Sequence, residues 1–374
     1  NSGITILMIE QKIEKLAAYC DRILLLHGGK QIAFDTPQKV FSMPDLADYG
    51  IQEPAFTRIC KAEHVTLPDG TYPVTVEEAA GVLKERHAGR AEAKGAAKAD
   101  KKKNSEVLGE EQFLIKNLDF SYLPDVPVLK ALNMRLDKRP TAIIGQNGAG
   151  KTTLVKLLKG LLKPVSGNIY FRGEDISGKT VAMLAGNVGY VFQNPDDQIF
   201  KYNVMDEIMF GPMNIGMDPK RAEEEAKRAL ELTGLSGKEK ENPYDLELYE
   251  RKMTAIASVL AMDTDVLILD EPTIAQDWKG RQIIGGIIRS LSERGKLVIA
   301  ILHDMDFVAE NFERVIIMAH GQVLADGTAR DVFMQDEALK TARLQKPYMM
   351  QLSEVLGYER AYLTVDEILR DQVS

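Results

Sequence analysis

Apolar residues in this chain occur mainly as short runs, separated by longer amphipathic stretches. The runs TAIIG (141–145), VGYVF (188–192), VLIL (266–269) and LVIAIL (297–302) have the length of buried strands and fall far short of the ~20 residues that span a bilayer. Residues 151–162 and 220–234 have helical character, and the second of these follows an Asp-Pro start signal and ends at Gly234. Strands alternating with helices predict an α/β fold with a mostly parallel sheet, whose ligands bind at the carboxyl ends of the strands.

The hydrophobic pattern of the first 41 residues returns near the other end of the chain. ITILMIEQKIEKLAAYCDRILLLHGGKQIAFDTPQKVF aligns without a gap on LVIAILHDMDFVAENFERVIIMAHGQVLADGTARDVF at a constant offset of 292 residues, which places Gln11 opposite His303 and Gly29 opposite Gly321. Further on, IQEPAFTRI resembles LQKPYMMQL and VTVEEAAGVL resembles LTVDEILRDQ. We interpret residues 1–86 as the tail of a first copy whose upstream part is missing, and the second copy as complete.

This repeat gives the predicted domain organisation. We assign residues 1–45 to the end of the first copy, 46–86 to its helical extension, 111–335 to the complete second copy and 336–374 to a second helical extension. The stretch HAGRAEAKGAAKADKKKNSE (87–106) is rich in Ala, Lys and Gly and lacks the large apolar residues of a core. Residues 87–110 are therefore predicted to be a flexible linker.

Composition places the chain among globular proteins and narrows its partners. Its 374 residues are 45% hydrophobic and 27% charged, which suits domains with sizeable cores. A net charge of −8 argues against a general nucleic-acid binder. Cys20 and Cys60 lack the spacing of a zinc site and suit a reducing compartment. With no transmembrane helix or signal peptide predicted, we expect the protein in the cytoplasm.

The segment GQNGAGKTT, which follows a predicted strand and opens a predicted helix, matches the phosphate-binding pattern G-x-x-x-x-G-K-[ST]. Its glycines let backbone N–H groups close around phosphates, and the helix N-terminus adds positive potential. Lys151 would reach the β- and γ-phosphates, and the Thr152 hydroxyl would bind Mg²⁺. The predicted nucleotide-binding residues of this phosphate loop (residues 145–153) are Gly145, Gln146, Asn147, Gly148, Ala149, Gly150, Lys151, Thr152 and Thr153.

Polar residues at the ends of other predicted strands complete a candidate site for ATP hydrolysis. In VLILDEP, Asp270 suits the Mg²⁺ shell and Glu271 suits a general base that polarises water. Gln193 could bind Mg²⁺ and orient water, although a surface glutamine is the default interpretation of such a residue. His303 could hydrogen-bond the γ-phosphate, and Tyr122 could stack on adenine. An isolated histidine or tyrosine in these positions would more often be structural.

Taken together and in this order, these motifs in residues 113–335 resemble the nucleotide-binding domain of the ATP-binding cassette (ABC) transporters. FQNPDDQIF and DEIMFGPMNIG are similar to the energy-coupling factor and cobalt-type importer ATPases, some of which carry two cassettes in one chain. The resemblance implies a P-loop NTPase fold with a helical subdomain, with Tyr122 on adenine, Gln193 in the Q-loop, Glu271 as catalytic glutamate and His303 as switch histidine. It also implies that Asp277 is the D-loop acid, although TIAQD departs from the usual D-loop sequence.

One family motif is altered. Where the family carries LSGGQ, the helix start that contacts the partner cassette's γ-phosphate, this chain has Leu246, Glu247, Leu248, Tyr249 and Glu250. A carboxylate ~4 Å from a phosphate at an effective dielectric of 20 is repelled by about 4 kcal/mol. Gln11 occupies the switch-histidine position of the first copy, so both departures fall in one of the two composite sites. We predict one degenerate site and one competent site that uses Lys151, Asp270, Glu271 and His303.

The resemblance implies an ATPase subunit that uses ATP and Mg²⁺ at the cytoplasmic face of the cell membrane. Its expected partners are a transmembrane coupling protein, a substrate-binding membrane component and the missing first-cassette region, but not nucleic acid. The imported substrate would be a vitamin or a transition-metal ion. Two alternatives stay open at this point, namely a soluble tandem-cassette ATPase that acts on ribosomes or DNA, and a non-catalytic ATP sensor.

Overall fold

The computed structural model of the chain describes residues 4–10, 12–91 and 110–373. The chain divides into two compact units, Glu106–Gln345 and a smaller unit made of Asn1–Ser105 with Lys346–Ser374. The strands are β1 (Ile23–His27), β2 (Lys30–Asp35), β3 (Phe113–Leu123), β4 (Val126–Leu136), β5 (Thr141–Ile144), β6 (Ser166–Phe171), β7 (Glu174–Asp175), β8 (Val188–Val191), β9 (Val266–Asp270), β10 (Leu297–Ile301), β11 (Arg314–Ala319) and β12 (Gln322–Thr328). The helices are α1 (Ile13–Tyr19), α2 (Pro37–Phe41), α3 (Ala55–Ala62), α4 (Val76–Ala91), α5 (Lys151–Leu158), α6 (Val181–Ala185), α7 (Val204–Asn214), α8 (Pro219–Thr233), α9 (Leu248–Leu260), α10 (Trp278–Glu293), α11 (Met305–Asn311), α12 (Ala329–Phe333), α13 (Asp336–Thr341), α14 (Tyr348–Leu356) and α15 (Val365–Val373).

The predicted parallel sheet forms the centre of the larger unit. Its strand order is β12-β11-β5-β10-β9-β8, and all neighbours are parallel except the edge pair β11–β12. Every residue of β5, β8, β9, β10 and β11 is buried, as continuous apolar strands covered on both faces should be. A second, antiparallel sheet has the order β4-β3-β6-β7. The α/β fold predicted from the sequence is confirmed.

The sheet brings the candidate site together because β5, β10 and β9 are adjacent. Their carboxyl ends carry the phosphate loop, His303, and the Asp270-Glu271 pair respectively, so residues more than 100 positions apart in sequence meet at one edge. The helix after the phosphate loop is shorter than predicted. It ends at Leu158 rather than residue 162, because the chain turns through Gly160, whose φ of +76° is left-handed.

Three further helices of the larger unit, α7, α8 and α9, pack on one another and form the helical subdomain implied by the resemblance. The predicted start and stop of α8 are both present: the Asp218 carboxylate accepts hydrogen bonds from the N–H groups of Lys220 and Arg221, and Gly234 is left-handed with φ +72°. Within residues 4–10, 12–91 and 110–373, the helices are all too short or too polar to cross a membrane.

The repeat detected in the sequence is reproduced in backbone pairing. In the smaller unit β1 pairs with β2, and in the larger unit β11 pairs with β12, with the same antiparallel register and a bulge at the equivalent position. The two hairpins differ in burial. Leu24 and Leu26 are 45% and 59% exposed, whereas the equivalent residues Ile316 and Met318, which lie in the six-stranded sheet, are completely buried. The local sequence therefore fixes the hairpin, and neighbouring strands fix which residues are inside.

Helices from the two ends of the chain pack against each other in the smaller unit. Helix α14 contacts α4 and α3, and α15 contacts α3, so that equivalent hairpins α3–α4 and α14–α15 form one four-helix module. Its core includes Ile59, Leu83, Leu352 and Ile368. Helix α13 (Asp336–Thr341) belongs to the larger unit, and α4 continues to Ala91. Most of residues 87–110, the predicted linker, lies outside the described residues, so the linker stays a prediction.

Candidate functional site

The phosphate loop connects β5 to α5 through two glycines for which no other residue is a good replacement. Gly150, immediately before α5, has φ +97°, and a Cβ added there would lie 2.7 Å from Leu129 Cδ2. A Cβ on Gly145 would lie 2.1 Å from the carbonyl oxygen of Met318. The loop therefore packs closely against β11 and β4 and leads directly into the N-terminus of α5.

Lys151 is held inside this loop. Its Nζ donates to the carbonyl oxygens of Gly145, at 2.7 Å, and Gln146, at 3.0 Å. Burial lowers the pKa of Lys151, and the nearby carboxylates of Glu271 and Asp270 oppose that shift. The loop thus presents a desolvated cation beside backbone N–H groups, which is the arrangement that binds a polyphosphate.

Asp270 lies beneath the loop at the end of β9. Its Oδ1 accepts a hydrogen bond from Thr152 Oγ1 at 3.5 Å and its Oδ2 accepts one from Tyr190 Oη at 2.8 Å. Burial raises the pKa of Asp270, although both hydrogen bonds act in the opposite direction. A hydroxyl and a carboxylate are hard oxygen donors and fit Mg²⁺. Within the described residues no three His, Cys, Asp or Glu side chains cluster as metal ligands.

Glu271 is the centre of a second hydrogen-bonded group. Gln193 Nε2 donates to Glu271 Oε2 at 2.8 Å, and His303 Nε2 lies 2.8 Å from Glu271 Oε1. The hydrogen bond from His303 lowers the pKa of Glu271, and the charges of Lys151 and Lys252 lower it further. The backbone of Glu271 is left-handed, with φ +49°, which is uncommon for a residue other than glycine. An ionised carboxylate flanked by an amide and an imidazole can accept a proton from water.

Most of these groups line one cleft of about 620 Å³, whereas Asp270, Gly145 and Gln146 are not among its lining residues. Tyr122 stands at its rim, 58% exposed, with its hydroxyl 3.2 Å from Thr153 Oγ1. The contact with Thr153 holds the Tyr122 hydroxyl, and the exposed ring can stack on a nucleotide base. The residues that line the cleft are Tyr122, Val128, Asn147, Gly148, Ala149, Gly150, Lys151, Thr152, Thr153, Gln193, Glu271 and His303.

Some residues singled out in the sequence lie elsewhere. Asp277 is the N-cap of α10, where its carboxylate accepts a hydrogen bond from the Gly280 N–H at 2.8 Å. Residues 246–250, the altered signature segment, do not line the cleft. Gln11 lies outside the described residues, so its predicted role stays a prediction.

The altered signature segment forms the start of α9, and its two acids behave differently. Glu247 is the exposed N-cap, whereas Glu250 is buried in the first turn. Glu250 accepts hydrogen bonds from Tyr249 Oη at 3.1 Å and from the Glu247 N–H at 3.3 Å, and pairs with Lys238 Nζ at 2.5 Å. Burial alone would raise the pKa of Glu250, but the bonds from Lys238, Tyr249 and the Glu247 N–H lower it. The positive end of α9 is therefore already covered by its own carboxylates.

Two residues of the site were missed in the sequence. Tyr190 stands in the apolar run VGYVF and is buried, so its pattern indicated core only, yet its hydroxyl supports Asp270. Lys252, on α9, is 2% exposed and donates from Nζ to the carbonyl oxygens of Gln193 and Glu271. The sequence signal was a lysine directly before the apolar helical stretch MTAIASVL, where a buried position is expected.

Comparisons with known proteins agree with this geometry. The family model described as ABC transporter matches residues 129–274. The energy-coupling factor transporter ATP-binding protein EcfA of Methanothermobacter thermautotrophicus is 37% identical over 260 residues, which cover 68% of this chain and 84% of that protein. The structure of cbiO1 from Clostridium perfringens, part of the ABC transporter complex cbiONQ, superposes with a TM-score of 0.56 at 33% identity, covering 62% of this chain and 94% of cbiO1.

Longer relatives extend the comparison. An ABC transporter ATP-binding protein of Caldanaerobacter subterraneus is 34% identical over 98% of this chain, and another of Methanosarcina acetivorans is 34% identical over 93%. The chain spans only 64% and 58% of the lengths of these two relatives. Phosphate loop, paired acids, cleft and sequence similarity lead to the same conclusion: the chain belongs to the ATP-binding proteins of ABC transporters, an ATPase family that uses ATP and Mg²⁺.

Proposed function

We propose that the chain is part of a tandem-cassette ATPase that drives an energy-coupling factor type importer. The observation that carries this proposal is the placement of Glu271 between Gln193 and His303, at one wall of a cleft whose other wall is the phosphate loop. Similarity to EcfA and cbiO1 favours this subgroup. A vitamin or a transition-metal ion remains the expected substrate class, and the membrane components select between them.

In the proposed reaction, Glu271 accepts a proton from the water that attacks the γ-phosphate, while Gln193 and His303 hold the carboxylate in place. Lys151 and the loop N–H groups stabilise the charge on the phosphate oxygens. Mg²⁺, bound through Thr152, Asp270 and Gln193, would supply further charge neutralisation. Tyr122 orients the nucleotide by stacking on the base.

The proposed pair of composite sites is asymmetric. The competent site combines this cleft with a signature segment from the first cassette. The degenerate site combines the first cassette's phosphate loop with α9 of this chain, where Glu247 stands exposed at the N-cap and Leu248 and Tyr249 project 46% and 38% exposed. A partner phosphate would meet a like charge and two bulky side chains instead of a hydroxyl and bare N–H groups. Gln11 belongs to this same site by the repeat alignment.

A membrane partner has a candidate docking surface on the larger unit. Phe200, Tyr202, Phe210 and Met213 are between 38% and 84% exposed and begin seven residues after Gln193. The rings of Phe200 and Phe210 pack edge to face at 4.5 Å, so the patch is a formed surface rather than scattered side chains. We propose that a helical segment of the transmembrane coupling protein docks here, because the surface begins only seven residues along the chain from Gln193. Docking would place the chain at the cytoplasmic face of the membrane.

The test uses the tandem protein in which a first cassette completes this chain, assembled with its membrane partner. Glu271→Gln should remove nearly all phosphate release while leaving ATP bound, since it removes the base with little change in shape. Gln11→Ala should cost less than about twofold, because the degenerate site contributes little turnover. Lys116→Ala, at an exposed residue of β3 outside the cleft, is the control for each measurement.

Three outcomes would change the proposal. Equal losses from Glu271→Gln and Gln11→Ala would show that both sites turn over. ATP binding without phosphate release by the parent protein would favour the sensor alternative. Co-purification with ribosomes or DNA instead of a membrane protein would favour the soluble alternative.

A further inference from the structure

Lys252 is a buried cation that joins the signature helix to the catalytic residues. It lies in α9, two residues after the altered signature segment, and is 2% exposed. Its Nζ lies 2.5 Å from the carbonyl oxygen of Gln193 and 3.0 Å from that of Glu271. One ammonium therefore bridges the two loops that carry the water-handling side chains.

The two carbonyl groups that Lys252 joins belong to segments outside regular secondary structure. Glu271 is left-handed, and Gln193 follows β8 in a loop without helical or strand pairing. The Gln193 amide bonds the Glu271 carboxylate, so the two loops are joined twice, once through their side chains and once through Lys252. Charge-assisted hydrogen bonds to carbonyl oxygens are stronger than neutral ones and fix the orientation of both peptides.

A second buried lysine provides an internal comparison. Lys159, at the C-cap of α5, is 8% exposed and donates to the single carbonyl oxygen of Val188 at 2.5 Å. Burial lowers the pKa of each lysine to about 8. The two residues therefore share burial and ionisation, but Lys159 contacts no residue of the cleft and Lys252 contacts two.

We propose that Lys252 is a positioning residue for ATP hydrolysis, which holds the Gln193 and Glu271 loops in register and links their geometry to α9. This inference rests on the proposed function of Glu271 as the base. It predicts a specific kinetic signature. Nucleotide binding depends on the phosphate loop and Tyr122, and Lys252 contacts neither. The positions of the Gln193 and Glu271 side chains, by contrast, depend on the hydrogen bonds from Lys252 to the carbonyl oxygens of these two residues.

The experiment measures ATP affinity and kcat of the completed tandem protein with its membrane partner. Lys252→Met removes the charge and the donors while keeping a long side chain. We expect kcat to fall about 10- to 100-fold, because small displacements of catalytic groups have effects of this size, with ATP affinity changed less than about twofold. Lys252→Arg, which keeps charge and donors, should recover at least about threefold over Lys252→Met.

Lys159→Met is the matched control, because it also removes a buried ammonium. We expect it to lower the melting temperature but to leave kcat within about twofold of the parent. The inference is overturned if Lys252→Met retains the parent kcat, or if both lysine variants lower kcat equally. If Lys252→Met does not fold, an Arg variant with kcat and affinity reduced in parallel would also overturn it. Loss of turnover in Glu271→Gln combined with full activity in Lys252→Met would remove this inference alone, whereas an inactive parent would remove the proposed function as well.

Discussion

The N-termini of α5 and α9 differ in whether the start of the helix stays available to bind an anion. Both helices begin in the larger unit after a short loop, and each has the positive end of a helix dipole at its start. Helix α5 has Gly150 as N-cap, no acid in its first turn and Lys151 as first residue. Helix α9 has Glu247 as N-cap and buried Glu250 in its first turn.

The difference lies in what satisfies the first N–H groups. At α5 the N-cap Gly150 has no side chain that could accept from the first N–H groups, which leaves them available to phosphate oxygens. At α9 the Glu250 carboxylate accepts from the Glu247 N–H and is itself neutralised by Lys238. An anion site therefore needs more than a helix start: it needs a start that the chain itself leaves unsatisfied.

The largest expected effect comes from breaking the α5 side. Lys151→Ala should weaken Mg-ATP binding by at least about 100-fold, because it removes the cation that the loop carbonyls position for the phosphates. Titration with a fluorescent ATP analogue measures this on the chain alone. Lys116→Ala should bind as the parent does, and unchanged affinity in Lys151→Ala would mean that the nucleotide site is elsewhere.

An intermediate effect should come from Glu250, which stabilises the α9 side. Glu250→Ala removes the ion pair with Lys238 and the acceptor for both Tyr249 Oη and the Glu247 N–H, so the free energy of unfolding should fall by about 1 to 3 kcal/mol. The folded-state pKa of Glu250 is lowered, so this contribution is present above the unfolded-state pKa and is lost as the pH falls through the folded value. Chemical denaturation at neutral and acidic pH measures both.

The control for that measurement is Glu223→Ala, which removes an exposed pair with Lys227 on α8. Surface pairs of this kind contribute less than about 1 kcal/mol. Equal losses from the two variants would show that Glu250 is no more than a surface residue.

The smallest effect should come from converting α9 into a helix start like α5. In the tandem protein, Gln11→His combined with Glu247→Ser, Leu248→Gly and Tyr249→Gly should raise total phosphate release by up to about twofold, because a second site then contributes. Each single reversion should change nothing measurable, since other defects remain in the same site. A single reversion that gives the full increase would show that only one defect matters.

The α5 side was predicted from the sequence almost completely, and the α9 side only in part. The phosphate loop is local, so its spacing reports its structure, and Asp270 and Glu271 follow directly from a buried strand. The roles of Glu250 and Lys252 depend on Lys238, Gln193 and Glu271, which become neighbours only through tertiary packing. A motif defined by spacing cannot identify partners that are far apart in sequence and come together only in the folded structure.

The same limit applies to the domain boundaries. Repeated sequence identified residues 46–86 and 336–374 as equivalent extensions, but it could not show that helices of the two copies pack together. That packing depends on apolar faces meeting across about 270 residues, between α4 and α14. The flexible linker prediction was likewise made from composition alone, which does not report where α4 ends.

The four-helix module has a kinetic consequence for the proposed ATPase cycle. Because it is built from helices near both ends of the chain, its apolar core would join the ends of the two proposed copies. When two cassettes separate after hydrolysis, a joint of this kind would keep them at an effective concentration in the millimolar range. Re-closure is already a first-order step in a single tandem chain, and a joint of this kind would raise its rate through the higher effective concentration.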